Sequence, residues 1–507
     1  MKTRTQNSFI NASFGLLSQG VELILKVIGR TVFIKFLAVE YLGVNGLFGE
    51  ILTMLSLAEL GIGSAIGYEL YKPLREGNTK RIAALMKLYQ KAYVIIGISV
   101  GVVGATLIPF LRFIVKDPGA VKDELIFIYC FYLFNTVISY FYSYKGTLLT
   151  ADQKNFMVQT IKEICNILRT VFQVVVLVIW RNFYIYLAVE SFFIFANNVV
   201  VSRVVDKKYK YLKTQKNEEK IDKKSIKQIF INVKALSISK ICTILVNSSD
   251  NTIMSAVCGI IKTGFYSNYV MFTNIIETVL RQLFTSFYPS VGNLNAEGDT
   301  EKSHFVFRGI NLLNFWLYSF SAIGIFVLIN DVITVWIGKS YLLSFAVPII
   351  IAVNIYIRGM LNTVWVFKDS YGLFKYGQYM NIVTASLNIG LSIWFGKLWG
   401  VFGILFATAI SRILTNVWYD PWMLYKYGFK MSVVKYVSVF TGFGILALIT
   451  AIITYYLSGL VPVINVFMLI VKFVLVCIIP NVIYFLVFFK TKRFNYVKER
   501  VLSIIKR

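Results

Sequence analysis

Four polar side chains interrupt the first apolar stretch of the chain: Gln19, Glu22, Lys26 and Arg30. They recur in steps of three or four, so a helix would carry them on one face. Ionisable groups inside an apolar helix are expensive in a bilayer and are functional candidates by default. One reading is an intrahelical Glu22–Lys26 pair that merely tolerates burial. It leaves Arg30 with no partner on its own helix. The other is a wet, cationic lining, because Arg and Lys make charge-assisted hydrogen bonds to phosphate oxygens. A second polar arc follows later, where Ser237, Lys240, Ser248, Asn251 and Ser255 share a face at ~100° per residue. Glu277, Arg281, Arg358 and Glu59 add ionisable groups to other apolar segments. The candidate binding groups for an anionic headgroup are therefore Lys26, Arg30, Lys240, Arg281 and Arg358. Gln19, Glu22, Asn247 and Asn251 complete a polar lining. Glu59 is the candidate for coupling an ion, and a role in helix packing suits it about as well.

The elements that must position these residues are membrane helices. Of 507 residues, 57% are hydrophobic and 15% charged, and apolar runs of about 18 or more residues recur along the whole chain. Alternating strands of about ten residues, which a membrane barrel needs, are missing from the pattern. The fold class is an all-α polytopic membrane protein. About fourteen spans are expected, near 11–37, 44–70, 82–112, 124–146, 157–180, 183–203, 229–258, 260–290, 304–329, 341–365, 378–398, 400–424, 432–458 and 462–489. The net charge of +27 gathers in alternate loops, about 32 Lys and Arg on one side against about 7 on the other, as the positive-inside rule requires of a cytoplasmic face. That placement puts both termini in the cytoplasm and argues against a nucleic-acid partner. No cleavable signal peptide is read at the N-terminus. Five scattered cysteines and the single His304 offer neither a disulfide framework nor a zinc site.

The chain also repeats itself. "REGNTKR", Arg75 to Arg81, returns as "AEGDTEK", Ala296 to Lys302, 221 positions later. At the same offset Gly43 falls on Gly264, Thr79 on Thr300 and Lys154 on Lys375, while Gln19, Lys26 and Arg30 fall on Lys240, Asn247 and Asn251. An even number of spans per copy makes this a parallel repeat, which usually places its substrate path between the two bundles. The expected organisation is a six-helix lobe over 1–205, a basic cytoplasmic linker over 206–228, a second six-helix lobe over 229–425, and two extra helices with a basic tail over 426–507.

No catalytic constellation is present. "ELGIGSAIG", Glu59 to Gly67, lacks the strand–turn–helix setting of a dinucleotide fingerprint and suits close helix packing instead. There is no H-E-x-x-H or Walker A pattern, and the outer loops are short. The chain reads as a non-enzyme with no cofactor and no metal.

The run "YLGVNGLFGEILTMLSLAELGIGSAIGYELYKPLREGNTKRIAALMKLY", Tyr41 to Tyr89, with "LLTADQKNF", Leu148 to Phe156, resembles the bacterial oligosaccharide flippases of capsule and O-antigen synthesis (the Wzx type), in the multidrug/oligosaccharidyl-lipid/polysaccharide exporter superfamily. The resemblance implies a two-lobed, V-shaped transporter in the bacterial cytoplasmic membrane. It would move an undecaprenyl-diphosphate-linked oligosaccharide outward by alternating access, among membrane lipids and alongside a polysaccharide polymerase and glycosyltransferases. Lys26, Arg30 and Lys240 occupy places comparable to the cationic cavity of such relatives, whereas Asn247 and Asn251 are neutral. A multidrug/cation antiporter of the same fold and a membrane polysaccharide polymerase are the alternative readings.

Overall fold

The computed structural model describes residues 20–21, 24–55, 69–70, 73–116, 119–121, 124–152, 154–214, 249–285, 291, 294, 299–495 and 498–499. Among them the regular structure is entirely helical, as lipid demands of a chain that must satisfy its backbone polar groups internally. The first unit holds α1 (24–36), α2 (Val39–Leu55), α3 (Thr79–Thr106), α4 (Leu125–Ala151), α5 (Asn155–Ile179), α6 (Phe183–Lys208) and α7 (249–258). Next come α8 (Ile260–Thr285), α9 (Thr300–Ile337) and α10 (Ala346–Ser370). The helical stretch Phe374–Leu414 is broken at Gly400, with φ 60° and ψ −135°, into two arms, α11 and α12. Asn388 Nδ2 donates to Thr408 Oγ1 at 2.9 Å and Thr384 Oγ1 to Asn416 Oδ1 at 3.0 Å, so the arms run antiparallel. α13 (Val434–Gly459) and α14 (Val466–Phe488) follow. Eight helical stretches among the described residues are long and apolar enough to cross a membrane.

The expected repeat is visible in where helices begin. α2 and α8 start at Val39 and Ile260, α3 and α9 at Thr79 and Thr300, α4 and α10 at Leu125 and Ala346; each pair lies 221 positions apart. The loop that recurs in the sequence is a helix cap. The Asn78 side chain accepts from the Arg81 N–H and the Asp299 side chain from the Lys302 N–H, each satisfying one of the donors a helix start leaves unpaired. The glycine pair of the repeat meets face to face. A Cβ on Gly43 would lie 2.3 Å from the Ile260 carbonyl oxygen, and one on Gly264 would lie 2.9 Å from the Val39 carbonyl oxygen. Residue 43 thus faces 260 while 264 faces 39, a reciprocal contact that only residues without a side chain allow.

Several boundaries differ from the sequence reading. α9 runs for 38 residues, roughly 57 Å at ~1.5 Å per residue, because apolarity marks the part inside lipid and not the polar first turns. The span expected over 400–424 ends at Leu414. Thr415 adopts φ −126° and ψ −86°, its hydroxyl donates to the Ser411 carbonyl, and a short helix, Asn416–Met423, restarts the chain. The linker over 206–228 is described only to residue 214.

Contacts divide the chain into two compact units, Met1–Gly264 and Phe265–Arg507. In the first, Leu47, Phe48 and Ile51 of α2 bury against Ile128 and Tyr129 of α4 and Leu187 of α6. Tyr129 donates to the Gly104 carbonyl at 3.0 Å, which satisfies the phenol that burial would otherwise penalise. In the second, Phe315 of α9 stacks on Phe443 of α13 with ring centroids 4.2 Å apart and leans on Tyr484 of α14.

Candidate functional site

Three polar clusters sit inside helix bundles, and each is built from residues far apart in sequence. The first surrounds Arg30. One turn after the exposed Lys26, Arg30 is partly buried and acts electrostatically on the phenols of Tyr132 on α4 and Tyr186 on α6. Behind it, Arg169 on α5 stands 4.0 Å from Glu190 on α6, and Gln173 Nε2 donates to the Tyr186 carbonyl at 3.5 Å. Gly29 faces Thr170, whose methyl would lie 3.7 Å from a Cβ there, so α1 can approach α5 closely. Among the described residues the cluster brings two guanidinium groups and one carboxylate beside two phenols, a hydrogen-bond-rich lining suited to an anionic headgroup.

The second lies in the second unit. Arg358 on α10 donates to Glu277 on α8 at 2.5 Å, and Arg281 follows one turn after Glu277, exposed. Glu277, Arg281 and Arg358 all act on the phenol of Tyr318, which packs on Gly359 so tightly that a Cβ there would lie 2.2 Å from the ring. Asn314 Nδ2 donates to the Gly359 carbonyl at 2.9 Å. Arg358 is therefore oriented by a carboxylate, and Arg281 carries the excess charge of the group.

The third joins α2 to α7. Asn251 Nδ2 donates to Glu50 Oε1 at 2.6 Å, and Asp250 is the neighbouring charge.

Of the residues expected from sequence, Lys26, Arg30, Asn251, Arg281 and Arg358 are placed as above. Gln19, Glu22, Glu59, Lys240 and Asn247 lie outside the described residues. The sequence reading passed over Arg169, Glu190 and Glu50. The rule that singled out Arg30, an ionisable group inside an expected span, applies equally to them. It also passed over Lys368 and Asp420, whose side chains meet at 3.3 Å in the core of the second unit, and Lys472 with Asp331 at 2.6 Å.

A helical bundle with helices long and apolar enough to cross a membrane and ionisable groups inside them defines a polytopic membrane protein. The sequence matches the family model described as "Polysaccharide biosynthesis protein" over residues 8–294, more than half of the chain, and the chain belongs to that family. No curated protein sequence matches it. Among solved structures it is similar to "Lipid II flippase MurJ, inward closed conformation", at TM-score 0.68 and 14% identity over 94% of this chain and 98% of that one. A "multidrug resistance MATE family transporter of the MOP superfamily" in an inward-facing conformation matches at TM-score 0.63 and 13% identity, over 80% and 96%. A MOP superfamily transporter from Pyrococcus furiosus matches at 0.55 and 12%, over 85% and 98%. At these identities the likeness is one of fold.

Proposed function

We propose that the protein is a flippase that carries an undecaprenyl-diphosphate-linked oligosaccharide across the bacterial cytoplasmic membrane by alternating access, for surface polysaccharide such as capsule or O-antigen, and that it is not an enzyme. The observation that carries this is the Arg30 cluster: a guanidinium within a membrane-spanning bundle, ringed by phenols, in a member of a polysaccharide biosynthesis family. Lys26, Arg30, Lys240, Arg281 and Arg358 are the proposed binding groups for the diphosphate. An apolar cavity of about 500 Å³ in the second unit, lined by Ala322, Phe326, Ile349, Tyr356, Leu448 and Tyr455 among others, offers room for part of a polyprenyl tail. The working organisation is a lobe over 1–205, the basic linker over 206–228, a lobe over 229–425 and two appended helices over 426–507, with both termini cytoplasmic. A polymerase and glycosyltransferases act before or after it on the same lipid-linked sugar.

The test is export in cells whose only copy carries Arg30→Ala with Lys240→Ala. Loss of surface polysaccharide, with lipid-linked precursor accumulating and the protein inserted at normal level, is expected. Arg30→Lys should keep part of the activity through charge alone. Normal surface polysaccharide in the double variant overturns the cationic-cavity mechanism, and export of organic cations in its place would favour the antiporter reading.

A further inference from the structure

Near its start α9 carries His304 and Arg308, one turn apart; α13 begins with Lys435 in its first turn, and Arg493 follows the end of α14. These groups meet at one end of the second unit. Arg308, Arg493 and Lys435 all act electrostatically on the His304 ring, and Arg308 and Arg493 act on the phenol of Tyr425 as well. The ring is held against an aromatic wall. His304 Nε2 lies 3.1 Å from the Tyr425 hydroxyl, and Tyr425 and Phe429 meet the ring edge to face with centroids 5.4 and 5.3 Å away. Beyond α14, Phe494 stacks on Trp316 of α9 with centroids 6.1 Å apart, and Thr491 Oγ1 accepts from the Phe494 N–H at 3.3 Å. Packing thus fixes Arg493 beside α9.

Cations gathered without a carboxylate repel one another. Among the described residues, none of Arg308, Lys435 and Arg493 forms an ion pair with an acid. Asp420, which acts on the neighbouring Tyr436, is fully buried and already taken by Lys368, Trp365 and Asn416. Burial and the charge of Arg308 both push the pKa of the partly buried Arg493 down from its ordinary value, yet a guanidinium does not give up its proton in a protein. Lys435 lies in a first turn that holds no acid, where the dipole of its own helix opposes it. A shared anion relieves all three. At the repeat offset Arg308 falls on Lys87 and His304 on Ala83, whereas Lys435 and Arg493 come from the two helices outside the expected repeat, so the convergence is made by those helices. Val434 and Val437 of α13 and Phe485, Leu486 and Phe489 at the end of α14 are exposed. The cations therefore stand where an exposed apolar surface stops, which is the depth of lipid headgroups.

We propose that Arg308, Lys435 and Arg493, backed by His304 and Tyr425, form a binding site for the phosphate of an anionic membrane lipid, which ties the start of α13 and the segment after α14 to α9. The bilayer's own phospholipid and a polyprenyl phosphate lipid offer the same chemistry. The site does not depend on what the protein transports. Charges that served only to orient the chain in the membrane would be solvated one by one and would show no preference among lipids.

The test uses the full-length protein in an uncharged detergent, supplemented with phosphatidylglycerol, phosphatidylcholine, undecaprenyl diphosphate or inorganic phosphate. Thermal denaturation gives the midpoint, and native mass spectrometry counts the lipid retained. Phosphatidylglycerol should raise the wild-type midpoint by at least about 2 °C. It should be retained in preference to phosphatidylcholine by at least about tenfold, within reach of three interfacial cations. Combining Arg308→Gln, Lys435→Gln and Arg493→Gln should abolish both effects. Without lipid that variant should be at least as stable as wild type, since the mutual repulsion is gone, and this shows that it folds. Combining Lys426→Gln, Lys430→Gln and Lys490→Gln removes as much charge from the same end, outside the cluster, and should keep both effects. Stabilisation by undecaprenyl diphosphate and not by phosphatidylglycerol, lost in the first triple variant, supports the site and assigns it to a polyprenyl lipid. Equal stabilisation by inorganic phosphate, a lipid preference unchanged in the first triple variant, an equal loss in the second, or a first triple variant less stable than wild type without lipid would each overturn the proposal.

Discussion

Replacing Asp420 by Asn should destabilise the second unit severely, and the structure sets the size of the effect. Asp420 is 0% exposed and Lys368 is 7% exposed. Its Oδ2 accepts from Trp365 Nε1 at 2.8 Å and Asn416 Nδ2 at 3.2 Å, and its Oδ1 from Lys368 Nζ at 3.3 Å. Donors thus approach both oxygens, and an Asn amide can present an acceptor to only one side. The other side would set N–H against a donor, costing about 1–3 kcal/mol. The larger cost is Lys368, left as a buried cation without its counter-charge, for which about 3–5 kcal/mol is usual. The two overlap and do not add, so we expect about 3–5 kcal/mol. Adding Lys368→Met removes the stranded charge and should return at least about 2 kcal/mol of that, a coupling typical of residues in one network. The assay is thermal denaturation of the detergent-solubilised protein followed by size-exclusion fluorescence, where the single variant should fall by on the order of 5 °C or more. If the single variant loses under about 1 kcal/mol, or the double is no better than the single, the pair is not a buried charge pair in the working protein.

Other positions give independent checks. Gly43→Ala should disrupt the crossing of α2 and α8, because its methyl meets the Ile260 carbonyl and not a mobile side chain; normal insertion and export in that variant would show that the helices do not meet there. Gly359→Ala forces the Tyr318 ring to move and should cost about 1–3 kcal/mol, read as a lower denaturation midpoint, with Tyr318→Ala restoring much of it. Glu277→Gln unties Arg358 without removing it, so export should fall several-fold with protein level kept, while Glu277→Asp should retain more activity. Asp299→Ala removes a helix cap and should cost about 1 kcal/mol, a change visible in hydrogen exchange of the first turn of α9 and absent elsewhere.

Legibility in the sequence differed by the range of the interaction. The repeat was readable because loop residues such as Asn78 and Asp299 do a local job, capping a helix, that fixes residue type and spacing whatever surrounds them. Arg30 was readable because the cost of a charge in lipid depends on the span it sits in. Glu50 obeys the same rule but sits only three residues from its partner's neighbourhood in space and 201 away in sequence, and no local pattern joins it to Asn251. Arg358 illustrates the converse. Its presence in a span was legible, yet its tether to Glu277, 81 positions away, was not, and that tether changes a free cation into an oriented one.

The sequence by itself determined the helical membrane class, the duplication at 221 residues, and the ionisable groups that a span would not carry without cause. These follow from composition, hydrophobic run length and turn chemistry, which act over a few residues and leave their mark in order along the chain. Tertiary structure decided which charges are neutralised, as with Arg358 and Lys368, and which polar atoms remain without a donor, as with Glu50 and Asn251. It also decided that Gly43 and Gly264 face one another's helices. Burial and pairing depend on which helix faces lie together, and in lipid those faces are chosen by close packing and hydrogen bonding, with no hydrophobic stripe to announce them beforehand.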